Sequence, residues 1–485
     1  MKARIVVTLC AGFVLGIVGC SGSGEDRKIP ITTSSEEARK EFLEGRNLAD
    51  KLQATKSLEH FDKAIALDSN FAIAYLNRSN ASFIAKDFFS YLKKAVALSD
   101  RCSKGERLLI LANEAGAYGK SVEQKEYLDS LLSLYPGDER VLFAVGTYYF
   151  GLQDYTKTIE HLQKAIELAP EYSPSYNILG YAYRQVENYA EAEKMFVKYT
   201  ELIPNDPNPY DSYAELLMKM GRFDESIANY RKALAVDSFF VSSRFCIAAN
   251  YMYKGMYEKG SAELEVLYNL ARNDGERRTK HFTQVVLLVD AGRMSDALQE
   301  LEKQYLIAEK NNDAAAMSGD MGLKGNILLE MGKYQEALAA FETSAKLILA
   351  SNLSQKVIDN AELFLHYNRA QSAIARKDLK NAKAETEAFS VTAEANKNLN
   401  QIRFVHELAG RIAMGEKKAD VAVKELLQSN LQNPYNLYLL ALAYQILGDK
   451  VKAKEFCTKA AHFYGLPAVN YAFIRTTAEK MLSAL

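Results

Sequence analysis

The sequence predicts an all-α protein, a solenoid of about twelve helix pairs closed by a C-terminal capping helix. Three features point there. The chain has 485 residues, too many for one ordinary compact core. It has only 9 prolines, and its stretches of Ala, Leu, Glu and Lys favour helix over strand. It also repeats itself at a fixed interval, the mark of an array of like units.

The N-terminus reads as an address. Lys2 and Arg4 form a short positive region, and Ile5 to Val18 form an apolar run of 14 residues. That is short for a bilayer span and suits a cleaved signal. Ile17-Val18-Gly19-Cys20 resembles the bacterial lipobox, which implies cleavage after residue 19 and lipidation of Cys20. Residues 1–19 are thus expected to be a lipoprotein signal peptide, and 20–35 a lipidated cysteine with a polar, flexible tether. Several acyl chains on one cysteine anchor firmly, at about 0.8 kcal/mol per buried CH₂. Ser21 after the cysteine, by analogy with enterobacterial sorting, favours the outer membrane over the inner.

Self-similarity then organises the rest. In 173–206, Leu179-Gly180, Tyr183, Tyr189, Ala192, Phe196 and Pro204 recur in phase with neighbouring units. Gly146, Tyr149, Tyr155 and Pro170 precede their counterparts by 34 residues, and Tyr210, Phe223, Tyr230 and Ala233 follow in register. These positions resemble the tetratricopeptide repeat (TPR), a helix–turn–helix unit of about 34 residues. The resemblance implies a right-handed solenoid. Small residues (Gly146, Gly180, Ala192, Ser226) let paired helices approach, large ones (Phe196, Tyr230) fill the space between pairs, and Pro204 ends a unit.

The register extends outwards. Gly45, Phe61, Ala64 and Asp68 mark a unit near 38–71. Residues 72–137 hold two looser pairs, the first about a turn short. Tyr251, Tyr257 and Leu264 mark a unit after 240, and Gly292, Ala297 and Leu301 another. Gly325, Gly332, Tyr334, Ala337 and Phe341 mark a clear one, with a lengthened second helix and connection expected around 345–362. Lys377 to Ala388 belongs to a degenerate unit; Gly410, Ala422, Leu426 and Pro434, then Tyr444, Gly448, Ala453 and Ala460, complete the array. A break at 273–280 suggests an N-terminal array over 36–272 and a C-terminal array of longer units over 273–467. Pro467 introduces a capping helix over 468–485, which solenoids need at an open end. Trp is absent, and Tyr176, Tyr210 or aliphatic residues take the family's Trp position.

In TPR proteins the first helix of each pair lines a concave groove. By that resemblance the candidate contacts are Phe143, Thr147 and Phe150; Asn177, Tyr181 and Arg184; Asp211, Glu215, Met218 and Lys219; and Phe245, Ala249, Met252 and Tyr253. Aromatics beside adaptable Met and mixed polar groups suit a peptide or helical segment. Phe143, Asn177 and Asp211 stand where some family members place a carboxylate-gripping clamp, and they form no cationic clamp. Arg272, Arg277, Arg278, Lys280 and His281 read as a solvated basic loop.

Little points to chemistry. Lys+Arg number 60 and Asp+Glu 61, without the basic footprint of a nucleic-acid binder. The sequence contains no HExxH, GxSxG, P-loop or GxGxxG motif. His406-Glu407 begins like a zinc-protease motif, but Gly410 stands where the second His belongs. The other histidines, at 60, 161, 281, 366 and 462, are scattered. Cys102, Cys246 and Cys457 form no CxxC pair and read as small core residues. The expectation is a non-enzyme without metal or cofactor: a lipid-anchored scaffold of the bacterial envelope that binds protein or peptide partners, with no small-molecule substrate. The alternative is a glycan-binding surface lipoprotein, disfavoured by the absence of Trp and by short linkers.

Overall fold

The computed structural model describes residues 28–51, 53–82 and 85–485. The expected signal and Cys20 lie outside the described residues. Helix pairs form because small residues let large ones sit against the backbone opposite. A Cβ added at Gly180 would lie 2.6 Å from the ring of Phe196, which is fully buried. The same spacing of 16 residues joins Gly45 to Phe61, Gly146 to Leu162, Gly325 to Phe341 and Gly410 to Leu426.

Twenty-five α-helices follow from this packing among the described residues, with no strand. Units one to four pair α1 (Glu36–Asp50) with α2 (Ala54–Leu67), α3 (Ala72–Asn80) with α4 (Ala85–Leu98), α5 (Lys104–Ala117) with α6 (Ser121–Leu134), and α7 (Glu139–Gly151) with α8 (Tyr155–Leu168). Units five to eight pair α9 (Ser173–Gln185) with α10 (Tyr189–Leu202), α11 (Pro207–Lys219) with α12 (Phe223–Val236), α13 (Val241–Tyr253) with α14 (Tyr257–Leu270), and α15 (Asp274–Asp290) with α16 (Met294–Lys310). Units nine to twelve pair α17 (Ala314–Glu330) with α18 (Tyr334–Leu349), α19 (Gln355–Ala375) with α20 (Leu379–Ala395), α21 (Leu399–Gly415) with α22 (Ala419–Leu426), and α23 (Pro434–Ile446) with α24 (Lys450–Ala461). A last helix, α25 (Val469–Ala484), follows. Twelve pairs and a terminal helix match the sequence reading. Within most pairs the chain turns through one residue of positive φ, such as Gly221, Gly292 and Gly448. Gln153, Glu187, Lys377 and Lys417 hold that geometry at a cost of about 1–2 kcal/mol each.

Later units return to stack on earlier ones, and the contacts form a seam. Lys356 donates to the carbonyl of Tyr118. Arg403 reaches the Leu152 carbonyl at 2.9 Å, and Gln153 bonds Asn430 at 3.1 Å. Lys459 pairs with Glu187 at 3.5 Å. Lys219 donates to the Phe463 carbonyl at 2.8 Å and Tyr253 to the Gly465 carbonyl at 2.6 Å. Arg475 Nε lies 2.7 Å from Asp290 Oδ1. Both partners advance together along the chain: unit three meets ten, four meets eleven, five meets twelve. One hydrophobic cluster accordingly joins Met218 and Tyr253 to Leu437, Tyr471 and Ile474.

Several expectations change. Residues 273–280 are no break: Asn273 caps α15, accepting from Glu276 N at 2.9 Å, and 274–280 are its first turns. Arg277, Arg278, Lys280 and His281 are therefore helical rather than in a loop, and only Arg272 precedes the helix. Arg278 pairs with Asp320 at 2.7 Å, and Lys280 and His281 are buried on Glu300. Helices lengthen from α15 to α21 and shorten again from α22, and near 345–362 the 16-residue α18 ends at Leu349, so most of the extra length lies in the 21-residue α19. Residues 28–34, expected within the flexible tether, are pinned. Ile29 N donates to Asp138 at 2.8 Å, Thr32 N to Glu106 at 3.0 Å and Ser34 N to Asp68 at 3.1 Å, because extended backbone finds carboxylates at unit junctions. The capping helix α25 covers the final pair and also packs on α15.

Gly180→Ala is expected to destabilise the chain by about 1–3 kcal/mol through the Phe196 clash. Gly319→Ala, where an added Cβ meets nothing within 4 Å, should be neutral or stabilising by up to about 1 kcal/mol. Urea unfolding of both variants reads the difference.

Candidate partner-binding groove

The first helices of units four to seven bring the predicted groove residues onto one face, and the structure spends many of them on bonds between neighbouring units. Asn177 Nδ2 donates to Asn208 Oδ1 at 3.2 Å, Tyr181 OH bonds Ser212 at 3.2 Å, and Arg184 pairs with Glu215 at 3.0 Å. Asp211 Oδ1 accepts from Ser242 at 2.9 Å and from Ser243 at 2.6 Å. Four of these five contacts span 31 residues, one helical turn less than the repeat, and form a ladder from one first helix to the next. Arg184 also lies over the Tyr181 ring at 4.8 Å.

The remaining predicted positions divide in two. Phe143 sits edge-on to Tyr172, Thr147 bonds back to the carbonyls of Phe143 and Ala144, and Phe150 is edge-on to Tyr155; all three are partly exposed. Further along, Met218, Ala249, Met252 and Tyr253 are buried, and Lys219 and Tyr253 hold the segment Phe463–Gly465. Phe245 is half-buried in the same region. That end of the groove is filled by the chain's own C-terminal segment, whose Tyr464 packs edge-on to Phe223 and tilted against Tyr253. The open stretch is at Phe143, Thr147 and Phe150.

Burial sets the electrostatics of the floor. It pushes the Asp211 carboxyl up to about 6, against the bonds from Ser243 and Ser242. It pushes the Lys219 ammonium down to about 8, helped by Arg184 and Lys459. Away from the groove, burial raises Glu300, but bonds from His281, Lys303 and Lys280 outweigh it and hold that carboxyl well below its usual range.

Two arrangements escaped the sequence reading. The seam joins residues up to 277 apart and leaves no local trace. The other was legible: His60, His281, His366 and His406 each contact a glutamate 19 residues away, at Glu41, Glu300, Glu385 and Glu425. In units eight, ten and eleven the histidine stands eleven residues before the positive-φ turn, where Tyr176 and Tyr210 stand in units five and six. Each contact is a polar pair within a unit, buried at His281 and partly exposed at His60, His366 and His406. Cys246 and Cys457 are fully buried and Cys102 is half-buried, all three as free thiols.

The fold is a stack of helix pairs similar to those of the tetratricopeptide repeat. Tetratricopeptide-repeat models match residues 139–172, 208–239, 321–349 and 434–461, and a further one matches 161–194. The chain is similar to "TPR repeat-containing protein YpiA" of Bacillus subtilis (strain 168), 28% identical over 174 residues, 35% of this chain and 41% of that one. It is also similar to "TPR repeat-containing protein MJ1428" of Methanocaldococcus jannaschii, 23% identical over 224 residues, 37% of this chain and 39% of that one. The chain thus covers about two fifths of the length of these curated relatives. Among solved structures it resembles "Crystal structure of MamA protein" (19% identity, TM-score 0.30, 33% of this chain and 88% of that one). "MamA 41-end from Desulfovibrio magneticus RS-1" matches at 15% identity and TM-score 0.32, over 35% and 95%. Those likenesses concern the repeat alone.

Asp211 provides a pH test. Its folded value of about 6 exceeds the ordinary 3.8, so the protonated form contributes stability that is lost as pH rises through 6. Asp211→Asn removes that loss and keeps an acceptor for Ser242 and Ser243. The variant should gain up to about 3 kcal/mol over wild type at neutral pH, shrinking to nothing near pH 4. Thermal unfolding across that window checks it.

Proposed function

We propose that the protein is a scaffold of the bacterial envelope, tethered to a membrane through lipidated Cys20, whose open groove receives a segment of a protein partner. The observation that carries the binding half is architectural. The described residues from Glu36 onwards are helix pairs and one terminal helix, and they leave a partly exposed aromatic stretch at Phe143 and Phe150. A repeat stack of this kind supplies an extended surface rather than a reactive centre. The tether half rests on Ile17-Val18-Gly19-Cys20 and the polar run after it. No described helix is long and apolar enough to cross a membrane, so the reading places attachment at the lipid. The outer membrane is the proposed site, by the Ser21 argument.

Two experiments separate the halves. Cys20→Ser is expected to move the protein from the membrane fraction to the soluble fraction; retention in membranes overturns the tether. Affinity capture from detergent-solubilised membranes should recover protein partners with the wild type and lose them with Thr147→Arg, which sets a bulky charge in the open stretch. Capture of no protein, together with retention on a polysaccharide column, contradicts the scaffold and favours a glycan binder.

A further inference from the structure

The seam is not closed along its whole length. Between the Gln153–Asn430 and Lys219–Phe463 contacts lies a cleft of about 700 Å³, the size of small-molecule sites. Its cations come from both sides: Arg184 and Lys219 from units five and six, Lys454 and Lys459 from α24 of unit twelve. Only Glu187 and Glu455 face them within the cleft, and Lys459 shares both, at 3.5 and 3.6 Å. Arg184 is committed to Glu215. Lys219 has no carboxylate partner among the described residues; its ammonium rests on the Phe463 carbonyl and ring, 4.4 Å from the ring centre. Cations from both sides therefore outnumber the carboxylates in the cleft, and one of them, Lys219, is half-buried with no carboxylate in ion-pair contact. That arrangement costs stability unless an anion occupies the gap. Tyr189, Leu437 and Phe456 supply apolar wall, so charge alone does not describe the space.

We infer that this cleft is a binding site for a small organic anion, with an apolar body and a carboxylate or phosphate group, which supplies counter-charge to Lys219 and Lys454 beside the salt-bridged Lys459 and so latches unit twelve onto units five and six. The site stands apart from the open groove around Phe143 and does not depend on what binds there. The cleft exists only when the seam is formed. Binding must therefore stabilise the stacked state, by linkage.

The test is thermal unfolding and titration calorimetry of the full chain in detergent at low salt. The probes are phthalate, phenyl phosphate and inorganic phosphate. Phthalate or phenyl phosphate is expected to bind at one site per chain and to raise the unfolding midpoint by about 2–4 °C at saturation. Which of the two binds more tightly separates carboxylate from phosphate. Lys219→Met and, at a more exposed position, Lys459→Met should each weaken binding at least about tenfold, whereas the distant surface control Lys380→Met keeps it. The inference is overturned if neither organic anion binds, if inorganic phosphate binds as well as both, or if binding survives in Lys459→Met.

Discussion

The ion pair of Arg475 with Asp290 is the constraint on which the rest of the architecture turns. Asp290 ends the first helix of unit eight and its side chain is fully buried; Arg475, in the terminal helix, is 7% exposed. The guanidinium meets both carboxylate oxygens, Tyr257 donates to Oδ2 at 2.9 Å, and Glu479 takes another guanidinium nitrogen at 2.9 Å. Desolvating two charges is costly, and a bidentate, fully bonded geometry is what offsets it. Removal of either partner would strand the other in apolar surroundings, a loss of about 3–5 kcal/mol. The pair therefore selects one docking of α25, and with it the placing of α23 and α24 against the earlier units.

That docking changes how stability is distributed. In an ideal repeat stack each unit touches only its neighbours, and the total is close to a sum of local terms. Here the hydrophobic cluster running from Met218 to Ala478 ties units six to nine to units eleven and twelve. Loss of the terminal helix would expose Tyr253 and Met252 as well as the last pair. The same closure narrows the groove. Polar side chains that look available on one helix, such as Asn177 and Arg184, hold the next helix in place, and Lys219 and Tyr253 hold the C-terminal segment. The surface proposed for a partner lies near units four and five.

Most of the unit-level structure was legible in the sequence, because each unit repeats its own packing. Gly180 against Phe196 and Gly325 against Phe341 recur at a fixed interval, and a period can be read without a fold. The pairing of His281 with Glu300 obeys a similar interval, but in so few units that it looked like scatter. Residues 273–280 misled because their charge density resembles a loop, whereas tertiary partners at Asp320 and Glu300 make a helix of them. The seam had no signature. Leu152 and Arg403, or Asp290 and Arg475, are joined by superhelical curvature, which is set by small angles between many pairs rather than by any one residue. The position and size of the open groove depend on that curvature, so they were hidden with it.

Zero-length carbodiimide cross-linking tests the central claim most directly, since it joins only an ammonium and a carboxylate already in contact. The neighbouring-unit pair Lys254 and Asp224 serves as internal reference. If later units stack on earlier ones through Arg475 and Asp290, wild type gives a Lys459–Glu187 cross-link alongside that reference, and Asp290→Ala loses the first while keeping the second. A wild-type chain that forms the Lys254–Asp224 link and never the Lys459–Glu187 link would contradict the closed seam.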